Sequence, residues 1–403
     1  MPFEFHLRSL EEMRATPDAI GMLTMIDDDN FRSALISGCP GSGKTTVSIY
    51  RLVRLNSQQA SVHLVTFQNL LVLSIQSLAN KQTFPPGSVS TFHKWYCPLT
   101  KSRFDTDSPP TDEEMNKFLQ RSRLAEQQLE EILIDEGQDL PLCVYRTIPK
   151  YAKRCFVGAD NAQQVHPRHG AKMEQIEDSL RQSHAPYKRF DLGRNFRNTY
   201  ETYRFARQFV PRTNRAAWNE TILERLQHSN RRGPKPTVIT YRDPNARNTH
   251  LRTTLANAEG NVAILCPLGP CPRGKSHSGE SVDEVYEIVQ GMGIAATKYH
   301  AKLPVPSYLE RYIVTTFKSV QGMEFDTVVI PRIDFFKTVA EEWYVACTRA
   351  RGRLFLYRDV GAPQCDPVSG FERDTYEGRS LEAASAATPA AAAMDNDDDD
   401  LPF

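Results

Sequence analysis

The stretch Gly38-Cys39-Pro40-Gly41-Ser42-Gly43-Lys44-Thr45 constrains this chain more than any other. It fits G-x-x-x-x-G-K-[ST], with an apolar run (Ser33–Ser37) before it and a helical pattern after it. Glycines at 38, 41 and 43 let backbone N–H groups turn inward around a phosphate, and the start of the following helix adds a favourable dipole. Gly38, Gly41, Ser42, Gly43, Lys44, Thr45 and Thr46 are therefore the expected nucleotide cradle. Lys44 is expected to reach the β- and γ-phosphates, and the Thr45 hydroxyl to bind Mg²⁺.

A loop of this kind belongs to a strand–loop–helix unit, and the rest of the chain carries the pattern of a parallel sheet. Short β-branched runs at 33–37, 62–66, 132–135 and 155–157 alternate with helical stretches in the first half. A second series follows at 237–241, 262–266, 313–316, 327–330 and 353–357. Gly233–Pro236 and Pro267–Gly279 read as loops. With 403 residues the chain can bury two cores, and the junction is expected near Ser183–Arg194. The division is 1–188, with a small insertion at about 97–128, then 189–360, then a flexible linker and acidic tail at 361–403.

Ile132-Leu133-Ile134-Asp135-Glu136 places two carboxylates at the end of an apolar strand, where a parallel sheet presents groups to a ligand. Alone, such a pair is more often an exposed loop; the phosphate loop upstream reverses those odds. Asp135 is expected to hold Mg²⁺ with Thr45, and Glu136 to orient the attacking water.

The wider string Asp135-Glu136-Gly137-Gln138-Asp139 resembles the D-E-x-Q-D segment of UvrD/Rep-like superfamily 1 helicases, and further segments follow in that family's order. Val65-Thr66-Phe67-Gln68-Asn69 resembles T-F-x-N, and Thr91-Phe92-His93 resembles T-F-H. Gly158 to Gln163 resembles G-D-x-x-Q with Ala159 inserted, and Asn195-Phe196-Arg197-Asn198 is similar to N-Y-R-S. Thr316 to Phe325 resembles T-x-H-x-x-K-G-L-E-F, and Tyr344 to Ala350 is very close to Y-V-A-x-T-R-A.

The resemblance implies an α/β fold of two RecA-like P-loop domains with parallel sheets, ATP and Mg²⁺ as cofactors, and single-stranded DNA as partner. It implies an ATP-hydrolysing translocase or helicase of 3′-to-5′ polarity. By the same resemblance Gln163 senses the γ-phosphate, and Arg197 and Arg349 reach it from the second domain. Two arginines there would neutralise charge spreading over the transferred phosphoryl group. Phe196 stands where the family stacks a tyrosine on the base, Glu324 would contact the ribose, and Gly322 is among the implied nucleotide-binding residues. Thr66, Phe67, Asn69, Thr91 and His93 line the implied DNA track, with Phe67 the stacking face. His166 and Arg168 occupy the places of the family's tyrosine and tryptophan there.

The chain departs from the family at several points. Lys318 and Gln321 stand where His and Lys are usual, and Ala15-Thr16-Pro17-Asp18 replaces the glutamine motif. The first large insertion is minimal and the second is missing, which favours translocation over strand separation. A DNA-stimulated ATPase switch or adaptor that recruits repair proteins is the alternative.

Net charge is zero, but five aspartates lie within the last nine residues, and the remainder carries 49 basic against 44 acidic groups. A mildly basic body of that kind permits nucleic-acid binding. Asp398-Asp399-Asp400-Leu401-Pro402-Phe403 resembles the C-terminal tip of bacterial single-stranded DNA-binding proteins, which implies docking on a partner's pocket for such tips. Self-inhibition and a purely solubilising role are the other readings of the tail. Eight scattered cysteines, of which Cys266 and Cys271 are closest, lack zinc-like spacing and read as solitary thiols. No run has the apolar length of a bilayer span and the first ten residues are mixed in polarity, so the expectation is a cytoplasmic protein without membrane contact.

Overall fold

The computed structural model describes residues 1–95, 128–160, 170–210, 217–270, 281–334, 340–361 and 365–381, with residues 111, 113, 114, 117, 163 and 363. Two all-parallel sheets organise it. The first is built from β1 (Ser33–Gly38), β2 (Val62–Thr66), β3 (Val89–Thr91), β4 (Leu129–Ile134), β5 (Ala152–Ala159) and β6 (Tyr187–Leu192). Its spatial order is β3-β2-β4-β5-β1-β6. The second contains β7 (Thr237–Tyr241), β8 (Val262–Cys266), β9 (Ala296–Tyr299), β10 (Tyr312–Thr316), β11 (Phe325–Ile330), β12 (Ala350–Asp359) and β13 (Glu377–Ser380), ordered β13-β7-β12-β11-β8-β10-β9. Helices connect most of the strands, while β9 reaches its parallel neighbour β10 through a loop at 300–311. The chain is an α/β protein with two such sheets.

Central strands bury both faces. Ala34, Leu35 and Ile36 of β1, Ile132, Leu133 and Ile134 of β4, and Ile264 and Leu265 of β8 are fully buried. The first sheet also encloses an ion pair: Glu131 of β4 meets Arg51 of the helix Lys44–Ser57 at 2.9 Å, and both are fully buried. Arg51 turns Nη1 to the carbonyls of Met25, Ile26 and Asp28 and Nη2 also to Asp29 Oδ1, which ties down the end of the helix Ile20–Asp27. Such a pair is tolerated only when its hydrogen-bonding capacity is filled.

The nine expected strands are present, three of them (β2, β7 and β8) with the expected bounds and the others wider or shifted. Four more were not expected (β3, β6, β9 and β13), and each is an edge of its sheet. The expected boundary at 188/189 falls inside β6, which pairs with β1. The segment from 361, expected as linker, carries β13, which pairs with β7.

The amino terminus departs from its expected place in the first domain. Phe3 N donates to Leu309 O, Arg311 N to Met1 O, and Asn261 exchanges two hydrogen bonds with Glu4. Phe3 packs edge-on against Phe325 at 5.7 Å. Glu4 pairs with Lys81 at 3.7 Å, and at Arg8, whose carbonyl accepts from Tyr50 Oη at 2.9 Å, the chain joins the first sheet's layers. Residues 1–8 therefore strap one unit to the other. No described helix is long and apolar enough to cross a membrane.

Candidate active site

The loops following β1, β4 and β5 open at one end of the first sheet, and the second sheet's unit closes over them. Gly41 and Gly43 hold φ of +71° and +100°, which let the loop curl before the helix begins at Lys44. A Cβ on Gly41 would lie 2.4 Å from Arg197 Cβ, so the loop and the Asn195–Asn198 segment touch through a glycine. Phe196 N donates to Gly41 O at 2.7 Å across the same contact.

A cleft of about 320 Å³ results, lined by Gly41 to Thr46, Glu136, Gln163, Phe196, Arg197, Gly322, Glu324 and Arg349. Asp135 lies behind it, fully buried, and its Oδ2 accepts from Thr45 Oγ1 at 2.7 Å. Burial first, and the charge of Glu136 second, push the Asp135 carboxyl up to about 7, against the Thr45 hydrogen bond and Lys44. Lys44 Nζ rests on the carbonyls of Gly38 and Cys39, at 2.6 and 3.2 Å. Glu136 sits in the left-handed region at φ 54°, a conformation costing a non-glycine residue about 1–3 kcal/mol and concentrated at functional sites.

Across the cleft, Arg349 Nη2 reaches Gln163 Oε1 at 2.8 Å, and Arg197 Nε holds Glu324 Oε2 at 2.9 Å. Burial, then the neighbouring Arg197, lower the Arg349 guanidinium to about 9. Three buried polar atoms at the cleft have no hydrogen-bond partner among the described residues: Ser42 Oγ, Asp135 Oδ1 and Arg197 Nη1. Buried groups of this kind are costly unless satisfied. The donor set fits the groups expected from the sequence. Lys44, Arg197 and Arg349 around the glycine-rich loop suit a polyphosphate, and Thr45 with Asp135 offers hard oxygens suited to Mg²⁺.

Sequence reasoning missed the polar hub joining the two units. Gln321 is fully buried, and its Nε2 faces Asp139 Oδ2 at 2.6 Å, Gln163 O at 3.0 Å and Glu136 Oε2 at 3.3 Å. One amide nitrogen has two hydrogens, so at most two of these bonds form at once. Gln138 donates to Glu136 and accepts from Asp160 N, and Asp160 accepts from Gln163 Nε2. The inserted Ala159 lengthens β5 opposite Ser37 and leaves this relay intact. The departure of Gln321 from the family pattern was the available signal. Phe5 to Arg8, Glu12, Arg231 and Arg351 also line the cleft, and nothing in their sequence context marked them.

The expected nucleic-acid track is only partly at the surface. Thr66 and Thr91 are buried, at 0% and 3% exposure, so their hydroxyls do not face outward. Phe67, half-buried, meets His93 edge-on at 5.3 Å, and Asn69 donates to Tyr299 Oη of β9 at 3.0 Å. His166, Arg168, Cys271 and the tail residues Asp398, Asp399, Asp400, Leu401, Pro402 and Phe403 lie outside the described residues. Cys266 is buried in β8, and burial raises its thiol pKa.

No family model and no curated protein matches the chain. Among solved structures it is similar to the arterivirus nonstructural protein 10 helicase, at 14% identity and a TM-score of 0.39, over 87% of this chain and 63% of that one. It is also similar to the PRRSV helicase, at 16% identity and a TM-score of 0.38, over 87% of this chain and 55% of that one. The chain thus spans less than two thirds of either structure.

Proposed function

We propose that this protein hydrolyses ATP to drive movement along single-stranded DNA, as the resemblance to UvrD/Rep-like helicases implies. The observation that carries the reading is the convergence of Lys44, Glu136, Gln163, Arg197 and Arg349 on one cleft between two parallel-sheet units. Lys44 would leave the Gly38 and Cys39 carbonyls for phosphate oxygens, and Thr45 with Asp135 would hold Mg²⁺. When bound, the metal supplies a positive charge that polarises the phosphate oxygens. Glu136 would orient the attacking water, fixed by Gln138. Arg197 and Arg349 would neutralise charge developing on the transferred group, so closure of the units and hydrolysis are one event. Glu324 would exchange Arg197 for the ribose. Phe67, with Asn69 and His93 beside it, would face the bases.

A switch or adaptor that hydrolyses ATP without movement is the second reading. The N-terminal strap and the buried Gln321 hub favour it, because both tie the units together. ATP turnover with and without single-stranded DNA, followed by displacement of a strand from a tailed duplex, tests both. The motor predicts DNA-stimulated turnover that falls about a hundredfold or more in Lys44→Ala. Wild-type turnover in that variant rules the site out, and stimulated turnover without movement selects the switch.

A further inference from the structure

Gln321 does not line the cleft, yet its side chain ends among groups that do. It follows the short 3-10 turn Lys318–Val320 of the second unit and is fully buried. Beside it Gly322 holds φ of +80°, and a Cβ there would lie 2.4 Å from Leu71 Cδ2. The turn is therefore seated directly on the helix Asn69–Gln76 of the first unit. From that seat the amide has a fixed direction. Nε2 faces the carboxylates of Glu136 and Asp139 and the carbonyl of Gln163, three acceptors that call for a nitrogen, while Oε1 accepts from Gln68 Nε2 at 3.4 Å. Gln68 is the residue between Phe67 and Asn69. Glu136 is held on one oxygen: Gln138 Nε2 at 2.7 Å and Gln321 Nε2 at 3.3 Å both come to Oε2. Among the described residues no hydrogen bond reaches Oε1, and Glu136 lines the cleft.

We propose that Gln321 is a positioning residue for hydrolysis, which aligns Glu136 and makes that alignment depend on the Phe67–Asn69 segment. The proposal rests on the ATP-hydrolysing reading above. Two hydrogens on Nε2 must be divided among three acceptors. With both on Asp139 and Gln163 O, at 2.6 and 3.0 Å, Glu136 keeps only Gln138, and its carboxylate can turn about its last torsion. With one on Glu136, Oε2 is pinned from two sides and Oε1 is presented to a water in the cleft. A small shift of the 318–322 turn or of Gln68 decides between these, because the three distances span only 2.6 to 3.3 Å. Nucleic acid against Phe67 and Asn69 moves the residue between them, and approach of the second unit moves the turn. Gln321 thus carries both events to the carboxylate that orients water, through a charge-assisted bond of the stronger kind.

The test is steady-state ATP turnover of the full chain with and without single-stranded DNA, with ADP affinity and thermal melting measured alongside. Gln321→Leu removes both donors at nearly the same volume. Gln321→Glu keeps the shape but sets a third carboxylate beside Glu136 and Asp139, and Gln321→Lys supplies three N–H donors for the three acceptors. We expect kcat with DNA to fall about tenfold to a hundredfold in Gln321→Leu and further in Gln321→Glu. KM for ATP and ADP affinity should hold, because Gln321 does not line the cleft. Turnover with DNA should fall more than turnover without it, and Gln321→Lys should recover part of the loss. Gln68→Leu should reduce the DNA stimulation and add nothing to Gln321→Leu. The proposal is overturned if Gln321→Leu keeps wild-type kcat, or if kcat and ADP affinity fall together in all three variants, which marks a packing role. Where substitution at 321 unfolds the chain, Gln68→Leu decides: DNA stimulation as in wild type overturns the proposal. A wild-type protein that does not hydrolyse ATP would instead sink the ATPase reading itself.

Discussion

Arg349 donates from Nη2 to the side-chain carbonyl of Gln163 at 2.8 Å, linking the loop after β5 in the first sheet to the residue that precedes β12 in the second. Arg349 is also anchored by the carbonyls of Val345 and Met323. Two side chains hydrogen-bonded to each other across the cleft in this way respond as one unit.

Arg349→Ala should therefore lower DNA-stimulated ATP turnover by about a thousandfold. Gln163→Ala should lower it less, and the double variant should be no worse than Arg349→Ala because the two act together. Lysine at 349 should not rescue, since an ammonium lacks the planar fork. Thermal melting accompanies the kinetics, and additive losses in the double variant would show that the two residues act separately.

Phe67→Ala should weaken single-stranded DNA binding by about 1–3 kcal/mol, roughly 5- to 150-fold, with DNA-independent hydrolysis unchanged. Fluorescence anisotropy with a labelled oligonucleotide measures it. Unaltered affinity would make Phe67 a packing residue held by His93.

His63 of β2 is hydrogen-bonded to Ser90 Oγ at 2.8 Å, and burial lowers its pKa from 6.5 to about 4. The folded state thus resists protonation that the unfolded chain accepts. Stability from the neutral ring is present in full above pH 6.5 and is lost as pH falls toward 4. Urea unfolding at stepped pH should show His63→Gln losing roughly 3 kcal/mol less than wild type across that window. Parallel pH curves for the two proteins would exclude His63 as a titrating group.

Phe3, at 8% exposure, is packed against Phe325, so Phe3→Ala should cost about 3 kcal/mol of stability. It should also speed ADP release, because Phe5 to Arg8 line the cleft just beyond it. Stopped-flow release of a fluorescent ADP analogue reads the second effect. Unchanged release alongside lowered stability would confine the strap to a structural role.

The central strands were legible from their composition: β1, β2, β4, β5, β7, β8, β10 and β11 carry apolar runs with β-branched residues, and β12 carries the apolar run Leu354-Phe355-Leu356-Tyr357. The four missed strands have one neighbour each and carry polar residues, such as Tyr187-Lys188-Arg189-Phe190-Asp191-Leu192 and Glu377-Gly378-Arg379-Ser380. An edge strand answers to its partner's open hydrogen bonds more than to its own hydrophobicity, so no local pattern announces it.

The chemistry of the cleft divides the same way. That Lys44 and Thr45 would line the cleft was legible because the loop carrying them is contiguous, and nearby glycines dictate its backbone shape. Asp135 and Glu136 needed the apolar strand before them together with the glycine-rich loop upstream. What tertiary structure alone decided was which distant residues meet: Gln321 with Glu136 and Asp139, and residues 1–8 with both units. Those meetings depend on how two separately stable sheets pack, and such packing is encoded by the whole surface of each unit rather than by any neighbouring run of residues.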